Sequence, residues 1–492
     1  MKPRKHKRLH FSKVAHKYQK KAVNFLLERE QAGLFLDPGL GKTSITLDAI
    51  TYLFEEEVIN RVLIVAPLNV CHNTWPDEIA KWEDFSYLTY SILHGRKKEE
   101  AFMEDTHIHL INPEGLEWLF TQMDDRDYDM LVVDESSKFK NAQSKRFKLL
   151  RKYLSEFTIR YILTGSPAPN GLINLFGQIY LLDQGQALGR YITHYRNQFF
   201  YPTGYGGYTW ELQAGADEKI YDRIAPMVLR LAAEDYLELP PLVRDIDNGG
   251  LTYVELPKAA RRIYDQMETQ MIAEIEAGEI VAVNGGVASQ KCRQIANGGI
   301  YLDKPPEIDE FLDWMERNDL DSGQSMTMSR GTLQIEAIHD LKAQAVANLV
   351  DELEGQPCLV AYEFKHDLER LRKVLGADTP YIGGGVSQTK QQAIIAKWNA
   401  GEIPVLLGQP SSMAHGLNMQ GAGRAVIFHS LIWDFEAYDQ FIKRIWRQGQ
   451  TERVFLYHIA AKDTVDEIIV QRLKKKDFTQ QKLFNALKKR AK

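Results

Sequence analysis

The sequence is poor in cysteine, has no long apolar run and shows no internal repeat. Its three cysteines, Cys71, Cys292 and Cys358, are too far apart for a disulfide scaffold or a zinc module, and they favour core or surface thiols in a reducing cytoplasm. No apolar stretch reaches the roughly 20 residues that a membrane helix needs. The basic segment Met1 to His10 lacks a following apolar stretch, so it is not typical of a secretory signal. We therefore expect a globular cytoplasmic protein that does not enter a membrane.

An excess of positive charge is also missing, since the formal net charge is −5 at pH 7. The charge is nevertheless unevenly distributed. Six lysines and arginines lie between Lys2 and Lys13 without an acidic residue, and nine lie between Arg472 and Lys492 with the single acid Asp477. Such runs attract phosphate backbones, but they are also typical of solvated tails. Charge alone leaves both interpretations open.

Two stretches alternate short apolar runs with helix-length segments, which is the pattern of open α/β sheets. The predicted strands are Gly33–Leu36, Arg61–Ala66, Met130–Val133, Arg160–Leu163, Cys358–Ala361, Val405–Leu407, Ala425–Phe428 and Val454–Tyr457. The predicted helices are Thr43–Phe54, Thr74–Trp82, Phe364–Leu375, Ser387–Asn399 and Phe435–Trp446. We therefore predict an α/β fold with two parallel-sheet lobes and a helical insertion between them.

These patterns also predict the domain boundaries. A charged, proline-containing stretch, Asp303–Arg330, is typical of a surface insertion or linker. We expect a basic N-terminal arm at 1–15, a first lobe at 16–240, a helical insertion or linker at 241–340, a second lobe at 341–475 and a basic C-terminal tail at 476–492.

The segment Asp37–Thr43 follows a predicted strand and opens a predicted helix, as a phosphate-binding loop requires. Its glycines let backbone N–H groups curl around phosphate oxygens, and the loop residues are Pro38, Gly39, Leu40 and Gly41. Lys42 can reach the β- and γ-phosphates, and Thr43 can hold Mg²⁺. Leu36 stands where the usual pattern has its first glycine, so this match alone could be an ordinary turn before a helix.

A second signal is an apolar strand that ends in two carboxylates, Asp134 and Glu135. In an α/β sheet, ligands bind at the carboxyl ends of the strands, where the phosphate loop also lies. Asp134 is expected to position Mg²⁺, and Glu135 to orient and deprotonate the attacking water. An acidic turn after a strand is common, but both elements in this order predict an ATP site.

A third signal is a pair of arginines, Arg444 and Arg447, three residues apart on a predicted helix and hence on one face. Two guanidinium groups suit the negative charge of a phosphoryl group in transfer. An isolated pair of this kind usually forms surface salt bridges. Arginines in one lobe and a phosphate loop in the other would instead couple ATP hydrolysis to domain motion.

Further short motifs stand in order around these three signals. They are His16–Gln19, Val65–Pro67 with Trp75, Glu78 and Trp82, Ile111–Glu114, Leu163–Pro167, Leu229–Arg230, Leu239–Pro241, Arg293–Asn297, His339–Lys342, Gly416–Asn418, Trp433 and Thr464–Glu467. From about His16 to Lys476 the chain resembles the Swi/Snf-like ATPases of helicase superfamily two. Phe364–Leu368 and Lys397–Gly401 resemble a compact branch common in bacteriophages and prophages.

The resemblance implies two RecA-like lobes, ATP and Mg²⁺ as cofactors, and DNA as the partner. Ser137 stands where the family usually has a histidine that links the ATP site to the Leu163–Pro167 motif; a serine can still donate a hydrogen bond there. By position, the resemblance assigns nucleotide contacts to Gln19 and Gly416, coupling to Ser137, Thr164, Ser166 and Gln440, and nucleic-acid contacts to Pro67, Asn112, Ser411, Asn418 and Trp433.

Three functions remain open on the sequence. The first, which the resemblance favours, is a translocase on double-stranded DNA that remodels forks, joints or bound proteins. We expect it to act as a monomer beside phage or host replication and recombination proteins, with branched or single-stranded DNA as alternative partners. The second is a strand-separating helicase on DNA or RNA, whose wedge could lie in Asp303–Arg330 or in the loop near Tyr205. The third is a nucleotide-regulated DNA-binding scaffold, which the catalytic residues argue against. No histone-reading, zinc or nuclease module is evident, so nucleosome remodelling is not supported.

Overall fold

A computed structural model describes residues 10–122, 127–169, 171–203, 209–237, 239–247, 250–276, 282–302, 334–413 and 417–490. The chain divides into two compact units, one of Met1–Leu239 with Lys476–Lys492 and one of Pro240–Lys475. Each unit contains a parallel β-sheet covered by helices. Among the described residues, no helix combines the length and the apolar character needed to cross a bilayer.

The first unit is built on a seven-stranded parallel sheet. Its strands are β1 (Gln31–Leu36), β2 (Val62–Val65), β3 (Tyr90–Ile92), β4 (Ile108–Ile111), β5 (Met130–Asp134), β6 (Ile159–Thr164) and β9 (Val228–Leu231), in the order β3-β4-β2-β5-β6-β1-β9. A separate antiparallel hairpin comprises β7 (Phe200–Thr203) and β8 (Thr209–Leu212). Phe35 packs into one apolar cluster, while its neighbours Leu34 and Leu36 pack into another. Both faces of the sheet are therefore buried, which explains why its strands are continuous apolar runs.

Helices cover this sheet. They are α1 (Phe11–Val14), α2 (Lys17–Leu27), α3 (Lys42–Glu55), α4 (Trp75–Lys81), α5 (Lys98–Met103), α6 (Leu116–Gln122), α7 (Lys145–Lys152), α8 (Leu175–Asp183), α9 (Ile192–Phe199) and α10 (Ala216–Ile224). Part of the predicted N-terminal arm belongs to this layer, because Phe11 in α1 is buried against Trp82 and Phe85.

The second unit contains a parallel sheet of its own. Its strands are β10 (Leu242–Arg244), β11 (Thr252–Val254), β14 (Cys358–Ala361), β15 (Tyr381–Ile382), β16 (Val405–Gly408), β17 (Ala425–Phe428) and β18 (Val454–Ala461); the order is β10-β18-β17-β14-β16-β15, and β11 also pairs with β18. Strands β12 (Gly299–Leu302) and β13 (Gln334–Ala337) form an antiparallel pair. Side chains again alternate, since Leu359 and Cys358 enter different apolar clusters.

The second unit differs from the prediction for residues 241–340. The first described part of this stretch is not a linker, because β10 and β11 pair with β18 and complete the sheet. Ile295 and Ala296, further along, are buried in the core of the second unit. The sequence did not reveal these strands because their partner lies about two hundred residues away. The predicted insertion Asp303–Arg330 and the loop near Tyr205 lie outside the described residues.

Helices surround the second sheet. They are α11 (Lys258–Glu276), α12 (Ala282–Asn297), α13 (Leu341–Glu352), α14 (Lys365–Leu375), α15 (Gln388–Asn399), α16 (Pro410–Met413), α17 (Phe435–Ile442) and α18 (Val465–Arg490), of which the part up to Lys475 belongs to the second unit. The predicted tail 476–492 is thus helical as far as Arg490, since α18 continues through it.

Candidate active site

The loop between β1 and α3 has the backbone that a phosphate cradle needs. Gly39 and Gly41 both adopt positive φ, 92° and 81°, which favours glycine. A Cβ atom added to Gly41 would lie only 2.6 Å from Gln19 Nε2. Gln19 also donates a hydrogen bond from Nε2 to the Leu40 carbonyl over 3.3 Å, so α2 supports the loop directly. Gln19, the predicted nucleotide-contacting residue, and the predicted cradle therefore lie side by side.

Leu36 replaces the first glycine of the usual loop pattern for a structural reason. It is the last residue of β1 and is completely buried, so its side chain fills the core instead of entering the loop. Its carbonyl oxygen accepts a hydrogen bond from Lys42 Nζ over 2.8 Å. Lys42 begins α3 at the end of the cradle, and Thr43 follows it, half-buried.

Arg230 anchors the start of the loop, a role that the sequence did not predict. It is 5% exposed and donates from Nη2 to Asp37 Oδ2 over 2.9 Å. Its Nη1 donates to the carbonyls of Phe35 and Leu231. Asp37 also accepts from the Ala233 backbone N–H. Strand β9 therefore fixes the first residue of the cradle through a buried, charge-assisted network.

Asp134 and Glu135 lie at the carboxyl end of β5, two strands away from β1. Asp134 is 7% exposed, and its Oδ2 accepts a hydrogen bond from Trp75 Nε1 over 3.1 Å. Burial, together with the nearby charge of Glu135, raises the pKa of Asp134 to about 6, although Lys42 opposes the shift. Glu135 has φ of 51° and opens a tight turn, Ser136–Phe139. Both predicted carboxylates thus share one sheet edge with the cradle.

The segment Val65–Trp82 forms hydrogen bonds with α3 and with Asp134. Glu78 Oε2 accepts from Ser44 Oγ over 2.7 Å and from Trp82 Nε1 over 2.6 Å. Ser44 follows Thr43 in α3, so α4 is tied to the helix that begins at the cradle. Trp75 is completely buried and reaches Asp134 from the same segment. The motif was visible in the sequence, but its contacts with the carboxylate were not.

The predicted coupling residues of the first unit lie close to the cradle. Thr164 ends β6 and accepts a hydrogen bond at Oγ1 from the Ser166 N–H over 3.1 Å. A Cβ atom on Gly165 would lie 3.2 Å from Pro38 Cδ, so this loop touches the phosphate loop. Ser137 is completely buried in the turn after Glu135.

The predicted nucleic-acid residues Pro67 and Asn112 follow two adjacent strands, β2 and β4. They therefore lie at the same carboxyl edge of the sheet as the cradle. The Pro67 carbonyl accepts from the N–H groups of Val70 and Cys71 and begins a helical turn. Asn112 is half-buried and donates from Nδ2 to Glu114 Oε2 over 2.8 Å.

We predicted that Arg444 and Arg447 lie on a helix, but in the second unit both lie beyond the end of one. Helix α17 ends at Ile442, and both arginines occupy the turns that follow. Their side chains nevertheless converge, because Nη1 of each donates to the Leu417 carbonyl, over 3.0 Å and 3.5 Å respectively. Arg447 Nη1 also donates to Asn418 Oδ1 over 2.6 Å. The two guanidinium groups therefore lie together because both contact the Leu417 carbonyl, and not because helical periodicity places them on one face.

The other predicted residues of the second unit have varied surroundings. Gln440 is 4% exposed, and its carbonyl accepts from Arg444 Nε over 3.1 Å. Trp433 is half-buried against the core, and the Arg472 guanidinium lies 5.0 Å from its ring centroid. Ser411 is exposed in the short helix α16. Gly416 lies outside the described residues.

The chemistry of the first site suits Mg²⁺ bound together with phosphate. Mg²⁺ prefers oxygen ligands and usually keeps several waters beside one or two carboxylates and the substrate phosphates. Thr43 and Asp134 supply a hydroxyl and a carboxylate beside the cradle, which fits that pattern. In the described part of the chain, no cluster of three or more His, Cys, Asp or Glu side chains could hold a metal by itself.

The three cysteines are free and buried in the core. Burial raises the pKa of each thiol, to about 12 for Cys71, about 11 for Cys292 and about 12 for Cys358. Because the thiolate is the reactive form, these side chains act as small apolar core residues.

Comparison with known protein families gives two matches. The SNF2-related domain matches residues 18–300, and the helicase conserved C-terminal domain matches residues 341–449. Together they include the cradle, the carboxylates and the two arginines.

Individual relatives match over nearly the whole chain. The protein p41 of Acyrthosiphon pisum secondary endosymbiont phage 1 is 32% identical, covering 96% of this chain and 98% of that protein. DNA repair protein rhp54 of Schizosaccharomyces pombe is 23% identical, covering 93% of this chain and 56% of its own length. DNA excision repair protein ERCC-6 of Homo sapiens is 25% identical, covering 96% and 32%. The chain therefore spans only part of the two DNA repair proteins.

Two solved structures have a comparable extent. The Sulfolobus solfataricus SWI2/SNF2 ATPase core in complex with double-stranded DNA covers 95% of this chain and 92% of its own, at 20% identity and a TM-score of 0.43. The Sulfolobus solfataricus SWI2/SNF2 ATPase core domain covers 93% of this chain and 87% of its own, at 21% identity and a TM-score of 0.41. This degree of likeness is too low to bear on function.

Proposed function

Because this chain belongs to the SNF2-related family and is therefore a nucleic-acid-dependent ATPase, we propose that it couples ATP hydrolysis to movement along double-stranded DNA. Such a motor would remodel DNA or protein–DNA complexes. The observation that carries the proposal is the site at the edge of the first sheet, where Lys42, Asp134 and Glu135 all lie. Relatives named for DNA repair favour DNA over RNA as the partner.

The residues of the first unit divide the chemistry among them. The backbone from Pro38 to Gly41 would hold the phosphates, and Lys42 would exchange its bond to the Leu36 carbonyl for phosphate oxygens. Thr43 and Asp134 would hold Mg²⁺, which supplies charge stabilisation to the phosphoryl group when bound. Glu135 would orient the attacking water and accept its proton. Gln19, already against the cradle, would contact the adenine.

In the second unit, we assign Arg444 and Arg447 to hydrolysis on the strength of the family resemblance. Burial lowers the pKa of Arg447, but a guanidinium keeps its charge under any ordinary condition. Gly416 and Gln440 would assist in nucleotide contact and coupling respectively. Nucleic-acid contacts at Pro67, Asn112, Ser411, Asn418 and Trp433 would be mainly to phosphates, which position the motor without reading sequence.

The decisive experiment compares ATPase rates with single-stranded DNA, duplex DNA, branched DNA and RNA. We expect the largest stimulation with duplex or branched DNA, together with displacement of a third strand from a triplex. Separation of duplex strands without triplex displacement would favour a strand-separating helicase instead. Absence of ATP hydrolysis with every nucleic acid would favour the DNA-binding scaffold.

A matched variant separates binding from chemistry. Glu135→Gln should retain ATP and form a stable complex without turnover, because the amide cannot accept the proton of water. Lys42→Ala should instead weaken nucleotide binding. Rapid turnover by Glu135→Gln would remove that residue from the mechanism.

The setting and assembly are also proposals. The phage relative, similar over 98% of its length, favours a bacterial or phage-infected cell, and three buried free thiols suit a reducing cytoplasm. We propose a monomer that acts beside phage or host replication and recombination proteins. Sedimentation of the purified protein, free and with DNA, would test the oligomeric state.

A further inference from the structure

A single buried amide joins the turn after Glu135 to the loop after β6. Ser136 Oγ donates to Gln178 Oε1 over 2.9 Å, and Gln178 Nε2 donates to the Pro167 carbonyl over 2.6 Å. Its second N–H reaches the Asn174 carbonyl over 3.0 Å. Ser136 and Gln178 are both 0% exposed, so these bonds form in a site of low dielectric where an unmade bond is costly.

The helix that carries Gln178 packs closely against this turn. At the preceding residue, Gly177, an added Cβ atom would clash with the Phe139 carbonyl oxygen. Only glycine permits this approach, and it brings the backbone of α8 directly against the turn Ser136–Phe139. The amide of Gln178 therefore lies within hydrogen-bond reach of Ser136, the residue that follows Glu135.

At its other end, the bridge reaches the phosphate loop. Pro167 belongs to the Thr164–Pro167 segment, in which Gly165 packs against Pro38. A continuous series of contacts therefore runs from Pro38 through this segment to Gln178, and from there to Ser136 beside Glu135. It connects the cradle with the turn that carries the proposed general base.

We propose that Gln178 is a positioning residue that holds Glu135 and the Thr164–Pro167 segment in register. This proposal rests on the proposed function, because the family resemblance assigns coupling to the Thr164–Pro167 segment. The bridge also bears on the departure at Ser137, where the family usually has histidine. The neighbouring Ser136 makes a link of its own, through a side chain of α8.

The test is a double-mutant cycle of Ser136→Ala and Gln178→Leu, with kcat and KM for ATP measured with and without duplex DNA. Each single variant should lower kcat about threefold to tenfold and leave KM nearly unchanged, and the double variant should be no slower than the worse single. Independent, multiplicative losses would show that the two side chains do not act as a unit, and would overturn the proposal.

The conservative variant Gln178→Glu gives a measurement that a purely structural role of Gln178 would not change. In Gln178→Glu, a protonated carboxyl could still accept from Ser136 and donate to the Pro167 carbonyl, whereas the carboxylate could not donate. The ratio of its kcat to that of the wild type should therefore rise as the pH is lowered. A ratio that does not change with pH contradicts the bridge. This variant and Ser136→Ala keep the test decisive if Gln178→Leu does not fold.

Tyr128→Phe is the matched control. It removes another buried hydrogen bond of the first unit, the one between Tyr128 Oη and His109 Nδ1 at 2.6 Å. Tyr128 precedes the amino end of β5, whereas Glu135 follows its carboxyl end. Its melting temperature should fall while kcat stays at the wild-type value. Equal losses of kcat in this control and in Ser136→Ala would reduce the bridge to a general effect on stability.

The two proposals can fail separately. A wild-type protein whose ATPase is not stimulated by DNA would overturn the proposed motor function. The basal kcat values of the same variants would still decide whether Gln178 positions Glu135. Unchanged kcat in folded Ser136→Ala and Gln178→Leu, with or without DNA, would overturn the positioning role alone.

Discussion

Asp134 occupies a position where its negative charge is disfavoured. Burial is the main cause of its raised pKa, about 6, and a metal ligand must be in the charged form. At low Mg²⁺, kcat/KM for ATP should therefore fall on the acid side with a midpoint near this value. Saturating Mg²⁺ should move the midpoint to lower pH, because the metal competes with the proton. A pH profile at both Mg²⁺ concentrations measures this shift. A midpoint that does not change with Mg²⁺ would show that a group other than Asp134 causes the fall of kcat/KM at low pH.

The hydrogen bond from Trp75 should tune the same carboxylate. Trp75→Phe removes a donor that favours the charged form, so the acid midpoint should move to higher pH by about one unit. Trp398→Phe is a suitable control, since Trp398 is equally buried but donates to the Met419 carbonyl in the second unit. The same displacement in both variants would exclude a specific effect on Asp134.

Arg230 illustrates a residue whose role depends on its environment. Arg230→Met would remove the buried guanidinium from Asp37 and one hydrogen-bond donor from each of two carbonyls, those of Phe35 and Leu231. We expect the free energy of unfolding to fall by about 3 kcal/mol, with weaker ATP binding, because breaking a buried ion pair leaves an uncompensated charge. Chemical denaturation and nucleotide titration would measure both. A stable variant with normal ATP affinity would contradict this anchoring role.

At the level of elements, the phosphate loop depends on backbone conformation. Gly41→Ala would place a Cβ in the left-handed region and against Gln19. ATP binding should weaken at least about tenfold, which nucleotide titration would show. Gly215→Ala is a control with similarly positive φ but open space around it, and it should leave ATP binding unchanged. Equal weakening of ATP binding in both variants would show that backbone strain, and not the contact with Gln19, is the cause.

The segment after α17 brings together one predicted catalytic residue and one predicted nucleic-acid residue. Arg447→Ala should lower kcat about tenfold or more and spare ATP binding. Asn418→Ala tests which role Asn418 has, because its side chain accepts from Arg447. A fall in kcat with unchanged DNA affinity assigns it to positioning Arg447, whereas weaker DNA affinity assigns it to the nucleic acid.

Periodicity could not locate the end of α17. The sequence predicts a helix to Trp446, but after Ile442 the backbone bonds lose their regular helical spacing. Arg444 N–H donates to the Phe441 carbonyl, three residues back, and Arg447 N–H donates to the Ile445 carbonyl, two residues back. Ile445 is completely buried, and a Cβ on Gly423 would lie 2.5 Å from its side chain. This packing against Gly423 stabilises the turns after α17, and helical periodicity does not reveal it.

For the whole molecule, both sheets are buried on two faces, and the basic C-terminal segment continues α18. Replacing Lys482, Lys488 and Lys489 by glutamine should weaken DNA binding and flatten its salt dependence if the segment meets phosphates. Fluorescence anisotropy at several salt concentrations would measure the slope. An unchanged slope would identify the segment as a solvated tail, the alternative that charge alone leaves open.

The sequence by itself determined the parts of the molecule that are local. The cradle Asp37–Thr43 and the pair Asp134–Glu135 are contiguous motifs at the ends of apolar strands, and the two-sheet architecture follows from the alternation of such strands with helices. Only the tertiary structure decided which distant side chains support them. Trp75 meets Asp134 across 59 residues, Arg230 meets Asp37 across 193, and β10 finds its partner in β18. Such contacts arise when the strands order themselves in the sheet, and no local pattern of residues encodes that order.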